Sequence, residues 1–379
     1  MRVAIVHYWL VGMRGGEKVV EALCRMYPQA DIFTHVYQPA AMSETIRGRR
    51  VTQSFVGSLP YAAKLYKNYL PLMPMALEQL DLRGYDLIIS SESGPAKGII
   101  PPPGSVHICY CHSPMRYIWN MFHEYRSGAG VLKRALMMPA AHYIRQWDAV
   151  SADRVDHFVA NSHNVARRIS RYYRRDADVV PPPVSVDDFI VSDEPGGDYD
   201  LMAGELVGYK RPELAVEAYN AMGRRLVVVG GGEMLAAIRR IAGPTVMVLG
   251  PQPFPALRDL YSGCRALVFP GEEDFGIVPV EAMASGRPVL AYGKGGATET
   301  VVEGVTGLFF HEQSVEAIIE AERRLADIRF DPATIRQHAE RFSVAVFEQR
   351  MGAVIRAHLG SSTPRPRLSP APALVSAGA

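Results

Sequence analysis

Two glutamates in one short window are the residues of this chain best placed to do chemistry. Glu273 and Glu281 lie in the segment PGEEDFGIVPVEAMASG, where an apolar strand ends in a cluster of acids and then enters a helix of small residues. Glu273 falls in the loop and Glu281 roughly two turns into the helix. Because carboxylates accept hydrogen bonds, the pair suits a polyhydroxylated ligand such as a sugar and a ribose. The alternative is that Glu281 pairs with a neighbouring Lys or Arg on a solvated helix face.

Two cations and a helix start are placed to bind phosphate. Lys210 and Arg211 lie near the beginning of a helix that follows the first strand of the second half, where they can neutralise a leaving diphosphate. Their alternative role is that of a solvated helix end. Phe275, Gly276 and Ile277 begin the helix of the acidic window, where amides and the helix dipole favour an anion.

Three glycine-containing turns follow predicted strands and would let a ligand approach the backbone. Gly15 and Gly16 open a helix after the first strand, although no G-x-G-x-x-G fingerprint is present. The run Gly230 to Gly232 follows another strand, and Gly295 to Thr298 precedes a further helix. Glu299 lies in the first turn of that helix, where the dipole favours an acid for structural reasons alone. Each turn also fits a simple strand-to-helix connection.

One histidine follows a strand end directly. His112 comes after the predicted strand Val106 to Tyr110, with Arg116 close behind it. Eleven histidines occur in the chain, and a lone histidine is more often structural than catalytic. Asn161 and Ser162 end another strand of the same half and are second-tier candidates, because ligands bind beyond the carboxyl ends of parallel strands.

The elements that position these residues alternate along the chain. Short apolar runs rich in β-branched residues alternate with helical patterns, which predicts βαβ units and parallel sheets. The predicted strands are Val3–His7, Asp31–Val36, Asp86–Ser90, Val106–Tyr110, His157–Ala160, Val179–Val180, Leu201–Ala203, Leu226–Val229, Val246–Leu249, Ala266–Phe269 and Pro288–Ala291. The predicted helices include Gly16–Arg25, His142–Asp153 and Arg211–Met222.

The alternation is interrupted once, by three prolines at 181–183 and a polar segment at 192–200. A length of 379 residues suits two domains that each bury a core. We therefore predict an α/β fold of two facing Rossmann-like domains, 1–185 and 186–342, with an interdomain cleft. A helix near 343–358 should pack back on the first domain, and the Pro-, Ser- and Ala-rich stretch 360–379 should be a flexible tail.

Composition excludes several classes of protein. Forty-one basic residues against 39 acidic ones give a net charge of +2, so no general basic field for nucleic acid exists. Four cysteines without a C-x-x-C spacing predict reduced, buried thiols and no zinc or disulfide framework. The apolar run at the N-terminus is too short for a signal peptide, and no run is long enough to cross a bilayer. These features predict a cytoplasmic protein.

The acidic window resembles the E-x7-E motif of the retaining family 4 glycosyltransferases, which have the GT-B fold. Four further segments are similar to this family in order: GGEK at 15–18, YCHSPMRYIW at 110–119, GELVGYKRPELAVEA at 204–218 and KGGATETVVEGVTGLFF at 294–310. The resemblance covers most of the chain except the tail and the stretch 38–79. The chain start and the segment 110–119, which we call the histidine loop after His112, also resemble bacterial O-antigen and exopolysaccharide mannosyl- or rhamnosyltransferases.

The resemblance implies a hexosyltransferase that binds a nucleotide-sugar donor and needs no metal or other cofactor. It implies that Glu273 holds the donor sugar, Glu281 the ribose, and Lys210 with Arg211 the diphosphate. His112 would lie near the primary hydroxyl of the sugar and would not act as a general base. Gly15 and Gly16 would contact the donor diphosphate or the acceptor. Mannose from GDP-mannose is the best candidate donor, and the acceptor would be a glycan, lipid-linked on a polyprenyl diphosphate as in many relatives.

Two features depart from this pattern. Glu205 stands where the family commonly has an arginine, and a carboxylate beside a diphosphate is repelled by on the order of 1 kcal/mol or more. Either Glu205 turns away or this chain binds phosphate differently. Asp198-Tyr199-Asp200 is a literal D-x-D, a manganese signature of the other major glycosyltransferase fold, but we expect it in the interdomain linker without metal. A nucleotide-sugar epimerase and a non-catalytic nucleotide-sugar-binding subunit stay open as alternatives.

Two segments combine basic and aromatic residues. Residues 167–175 hold five arginines and two tyrosines, and residues 61–69 hold lysines and tyrosines followed by LPLMPMAL. Such segments can contact anionic lipid on the inner face of the cytoplasmic membrane, or they can form ordinary solvated helix faces.

Overall fold

The computed structural model describes residues 1–127, 130–192 and 196–360. Apart from position 360, the predicted tail lies outside the described residues. Within them the chain forms two parallel sheets. The first half contributes the strands β1 (Val3–His7), β2 (Asp31–Thr34), β3 (Val51–Gln53), β4 (Leu87–Glu92), β5 (Val106–Cys111), β6 (His157–Ala160) and β7 (Ala177–Val179). The second half contributes β8 (Tyr199–Ala203), β9 (Arg225–Val229), β10 (Val246–Gly250), β11 (Leu267–Phe269), β12 (Val289–Tyr292) and β13 (Gly307–Phe310).

Helices connect these strands. Those of the first half are α1 (Gly15–Met26), α2 (Glu44–Arg47), α3 (Ala62–Leu65), α4 (Met73–Glu78), α5 (Phe122–Ser127), α6 (Val131–Ser151) and α7 (His163–Tyr173). Those that follow are α8 (Pro212–Met222), α9 (Leu235–Ile241), α10 (Phe254–Gly263), α11 (Ile277–Ala284), α12 (Ala297–Thr300), α13 (Val315–Ala326), α14 (Pro332–Ala339) and α15 (Val344–Gly360). None of them, over the ranges given, is long and apolar enough to cross a membrane.

The strand order of each sheet creates one crevice. The first sheet runs β3-β2-β1-β4-β5-β6-β7 and the second β10-β9-β8-β11-β12-β13. The order therefore reverses between β1 and β4 in the first sheet, and between β8 and β11 in the second. In doubly wound sheets, ligands bind at such switch points, beyond the carboxyl ends of the strands. This confirms the predicted α/β fold of two Rossmann-like domains.

The last helix returns to the first half. Phe347, Met351 and Ile355 recur every four residues, so they share one face of α15, and all three are buried in the cluster that contains Leu23 of α1 and Tyr110 of β5. The chain thus passes twice between the halves, and Val184 pairs with Ser343 where the two passages meet.

The structure differs from the sequence-based expectations at two strands, at one helix start and at the D-x-D. Strands β3 and β13 were not predicted, and β13 lies inside the segment 294–310, which resembles the family. Helix α6 begins at Val131, well before the expected His142. Two residues of the D-x-D, Tyr199 and Asp200, lie in β8 and not in a linker.

Candidate functional site

The crevice of the second sheet brings Lys210 and Glu273 together. Lys210 follows β8 and Glu273 follows β11, the two strands that flank the switch point. The Nζ atom of Lys210 lies 2.9 Å from Oε1 of Glu273, and both side chains are largely buried. Burial lowers the pKa of Lys210, but the Glu273 carboxylate and Tyr209 raise it by more than burial lowers it. The net shift is upward, and the ammonium stays charged. The site therefore holds one fixed cation beside one carboxylate.

Glu281 completes the acidic pair from inside α11. Its Oε2 atom accepts a hydrogen bond of 2.8 Å from the hydroxyl of Tyr261, on α10. Burial raises the pKa of the Glu281 carboxyl, while the Tyr261 hydrogen bond and the charge of Lys210 lower it; the net shift is upward. Tyr261 occupies one carboxylate oxygen, which leaves the other as an acceptor for a ligand hydroxyl.

Two glycines of the site lie close to neighbouring groups, and at Gly230 the neighbour is backbone, so that position requires glycine. Gly230 has φ +138°, and a Cβ there would lie 1.8 Å from the carbonyl oxygen of Gly204. A Cβ on Gly15 would lie 2.6 Å from Cδ1 of Ile277, at the start of α11. The glycine-rich turn of the first half therefore contacts the helix N-terminus of the second half. Phe275 itself is buried and packs against Phe342, so a donor contact from this residue falls to its backbone amide.

The cations near the crevice are not equivalent. The Arg211 guanidinium donates to Glu213 over 2.6 Å and lies 3.5 Å from Gln313, whereas Lys210 faces Glu273.

Glu205 is partly exposed, and its Oε2 atom lies 3.5 Å from Nη1 of Arg14. The acid at this position is thus paired with an arginine of the first half, next to Gly15. An exposed pair of this kind adds little to stability.

His112 belongs to a buried polar cluster at the carboxyl ends of β1, β4 and β5. The Oγ atom of Ser91 lies 2.8 Å from Nε2 of His112 and 3.0 Å from Nδ1 of His7. Because a serine has one O–H, it can donate to only one of the two rings. Burial, together with the neighbouring His7, lowers the pKa of His112 to about 3. His112 is therefore neutral near pH 7 and suited to a hydrogen bond with a ligand hydroxyl.

The two halves also meet at residues whose role was not predicted. Asp274, the residue after Glu273, forms ion pairs with Arg168 of α7 and with Arg116 of the histidine loop. Glu299 accepts hydrogen bonds of 2.7 Å from the amides of His163 and Asn164. We expected Glu299 to serve the dipole of its own helix; instead its carboxylate caps α7 of the first half.

The two second-tier candidates, Asn161 and Ser162, have different surroundings. Ser162 donates to the carbonyl oxygen of Asp274 over 2.6 Å, so it belongs to the contact between the halves. Asn161 lines a cavity of about 620 Å³ that is bordered by Glu299 and Arg350. Both carboxylates of the D-x-D form ion pairs with arginines: Asp198 with Arg225 and Asp200 with Arg265.

Sequence patterns gave limited signals for the missed residues. Arg116 was visible as the cation next to His112, and Asp274 as a third acid beside Glu273. Nothing local indicates that Arg168 leaves the basic segment to reach Asp274. Cys24, Cys109, Cys111 and Cys264 are all free and buried, as predicted.

Two family models match consecutive parts of the chain. Residues 13–188 match the model described as Glycosyltransferase Family 4, and residues 191–342 match the model described as Glycosyl transferases group 1. Together the matches take in most of the chain.

Two curated relatives are also named as glycosyltransferases. The D-inositol 3-phosphate glycosyltransferase of Kribbella flavida is 27% identical over 80% of this chain and 78% of its own length. The enzyme of that name from Rhodococcus erythropolis is 28% identical over 54% of each chain, so this chain spans about half the length of that relative.

Solved structures share the architecture. Anabaena HepE in complex with UDP and glucose superposes with a TM-score of 0.68 at 15% identity, covering 94% of this chain and all of HepE. Sucrose-phosphate synthase from Thermosynechococcus elongatus gives a TM-score of 0.68 at 20% identity, covering 96% of this chain and all of the synthase. At these identities the likeness establishes the fold. The two family matches and the two facing Rossmann-like sheets together identify the chain as a glycosyltransferase of the GT-B fold, with a family 4 domain followed by a group 1 domain.

Proposed function

We propose that the protein is a retaining, metal-independent hexosyltransferase that moves a sugar from a nucleotide donor to a hydroxyl of a glycan acceptor in cell-surface polysaccharide assembly. The observation that carries the proposal is the ion pair of Lys210 and Glu273 at the switch point of the second sheet, beside the partly buried Glu281. Lys210 would stabilise the leaving diphosphate, Glu273 would hold the donor sugar, and Glu281 would bind the ribose.

The arrangement favours transfer over epimerisation. One polar group, around His112 and Ser91, lies at the strand ends of the first sheet. Another, around Lys210 and Glu273, lies at the strand ends of the second sheet. Two facing sets of groups suit two substrates, whereas an epimerase handles one. Product analysis with and without acceptor separates the two reactions, and a non-catalytic subunit would bind nucleotide without turnover.

The identity of the donor has two candidates. Mannose from GDP-mannose follows from the resemblance of the chain start and histidine loop to mannosyltransferases. UDP-glucose is favoured by the solved relatives, because HepE was crystallised with UDP and with UDP-glucose. The carboxylates of Glu273 and Glu281 accept hydrogen bonds from the hydroxyls of either donor, so a binding measurement must decide.

A panel of nucleotide sugars tests the proposal directly. Because the true donor binds only the folded state, it should raise the free energy of unfolding by about 2.7 kcal/mol at a hundredfold excess over its Kd, and the melting temperature should rise with it. Transfer from that donor should persist in excess EDTA, since both acids of the D-x-D are engaged by arginines. A loss of transfer that Mg²⁺ or Mn²⁺ restores would contradict the metal-free mechanism. If no nucleotide sugar stabilises the protein, the donor site is misassigned.

A surface of the first domain supports membrane contact for a lipid-linked acceptor. Tyr61 is 77% exposed, and Leu65, Leu72 and Met75 also project into solvent near Lys64 and Lys67. Leu70 is partly buried and packs on a hydrophobic cluster that contains Ala141 and Ile144 of α6. Leu136 and Met138 of the same helix are exposed too. Exposed apolar side chains among lysines suit the boundary of an anionic bilayer.

The basic segment 167–175 contributes less to such a surface than its composition predicts. Arg168 is engaged with Asp274, and Arg175 donates to backbone carbonyls of residues 152, 155 and 156. Tyr172 stacks on Trp119. We therefore confine the membrane proposal to the surface around Lys64, on the inner face of the cytoplasmic membrane.

Removing two lysines from this surface should weaken binding to anionic vesicles. Each basic residue near such a surface contributes about 1 kcal/mol, so Lys64→Ser with Lys67→Ser should lower partitioning roughly thirtyfold. Flotation with phosphatidylserine-containing liposomes at low and high salt measures this, and binding of the wild type should fall with salt. Arg323→Ser with Arg324→Ser, which removes two exposed charges from α13, is the matched control. Equal flotation of the double variant and the wild type would remove the proposal.

A further inference from the structure

The acidic loop of the second domain, residues 270–276, is held from the first domain by two arginines. Arg168 of α7 contacts Oδ1 of Asp274 and also donates to Oγ of Ser113 over 3.2 Å. Arg116 of the histidine loop lies 3.6 Å from Oδ2 of the same carboxylate. Both oxygens of Asp274 are therefore engaged, which fixes the direction of the side chain next to Glu273.

Backbone contacts add to this attachment. Ser162, the N-cap of α7, donates to the carbonyl oxygen of Asp274 over 2.6 Å. Glu299 accepts from the first two amides of α7, and the neighbouring Gly296 amide donates to the carbonyl oxygen of Glu273 over 2.8 Å. The start of α7 is thus joined to the acidic loop both directly and through the Glu299 segment.

The ion pair is shielded from solvent. The side chains of Arg168 and Asp274 are 12% and 18% exposed. Partly buried pairs are screened by salt much less than surface pairs. Arg171, one turn further along α7, is exposed by contrast. The sequence presents both as members of one basic run, and only Arg168 is directed at the other domain.

We propose that Arg168 is a positioning residue for transfer: by holding Asp274 from the first domain, it orients Glu273 when the two domains are together. This deepens the proposed function and rests on it. Lys210 and Glu281, whose side chains we propose to bind the diphosphate and the ribose, both belong to the second domain. Nucleotide binding by itself therefore does not need Arg168, whereas the orientation of Glu273 toward the sugar does.

The kinetic test separates positioning from binding. Arg168→Gln should lower kcat 10- to 100-fold, while the Kd for the free nucleoside diphosphate of the active donor stays within twofold of the wild type. Asp274→Asn should give the same pattern, and Arg168→Lys should recover part of kcat because a cation remains. Arg171→Gln is the control from the same helix and should stay within twofold. Melting temperatures show whether each variant is folded.

An unchanged kcat in Arg168→Gln, or a parallel loss of nucleotide affinity, would overturn the inference. A measurement independent of turnover uses small-angle scattering of the protein without donor. Arg168→Gln should have a larger radius of gyration than the wild type and than Arg171→Gln, because the domains separate. If the wild type transfers no sugar at all, the proposed function fails, and equal radii in this experiment would still refute the contact separately.

Discussion

Glu273→Gln is expected to lower kcat by about 100-fold while leaving the KM for the donor within a few-fold. The substitution keeps the size of the side chain and removes its charge next to the reacting sugar, where positive charge develops in an oxocarbenium-like transition state. A contact made chiefly in the transition state is lost from kcat, and 100-fold corresponds to about 2.7 kcal/mol. Steady-state kinetics with the donor found by the stability panel measure the change.

Glu281→Gln provides the contrast. A ribose contact is present equally in the ground and transition states. Its loss should weaken donor binding by roughly 1 to 3 kcal/mol, which raises the donor KM and leaves kcat unchanged. Burial raises the pKa of the Glu281 carboxyl, so the neutral amide should not destabilise the fold. A nucleoside diphosphate should protect Glu273→Gln against heat more than Glu281→Gln. Wild-type kinetics in both variants would mean that the donor site is misplaced, and exchanged phenotypes would mean that the two roles are reversed.

The fold was largely predictable because most strands are local apolar runs. The run His157–Ala160 has the same bounds in sequence and structure, since four apolar or ring-bearing residues are closed by a polar turn. Strand β3 is only three residues long and has no buried residue, so no pattern indicates it. Pro139 lies inside α6 and argues locally against a helix there. The helix continues through it, and Ala141 and Ile144, which follow the proline, are buried in a hydrophobic cluster.

The proximity of the candidate site residues was predictable only within each domain. Glu273, Glu281 and Lys210 are near one another because strand ends meet at a switch point, which the alternation of elements already implies. No comparable rule predicts which residues of the two domains contact each other. Glu299 caps a helix that begins 136 residues earlier in the chain. The pairing of Arg14 with Glu205 spans 191 residues, so the acid that argued against phosphate binding could not be matched to its arginine from sequence.

Lys210→Met should lower kcat by 100- to 1,000-fold, or about 2.7 to 4 kcal/mol, the range found when one preorganised transition-state donor is removed. Methionine keeps much of the length of the side chain and removes the charge that would stabilise the leaving diphosphate. Lys210→Arg is the control that retains a cation, and it should keep more activity than Lys210→Met.

The pairing with Glu273 makes this prediction sharper. Because Nζ of Lys210 and Oε1 of Glu273 are 2.9 Å apart, Lys210→Met also leaves a largely buried carboxylate without its cation. Part of the loss in Lys210→Met should therefore come from the unpaired acid. Adding Glu273→Gln removes that acid, so the double variant should lose clearly less than the sum of the two single losses. Strictly additive losses would show that the two side chains act independently, and the ion pair would then have no part in transfer.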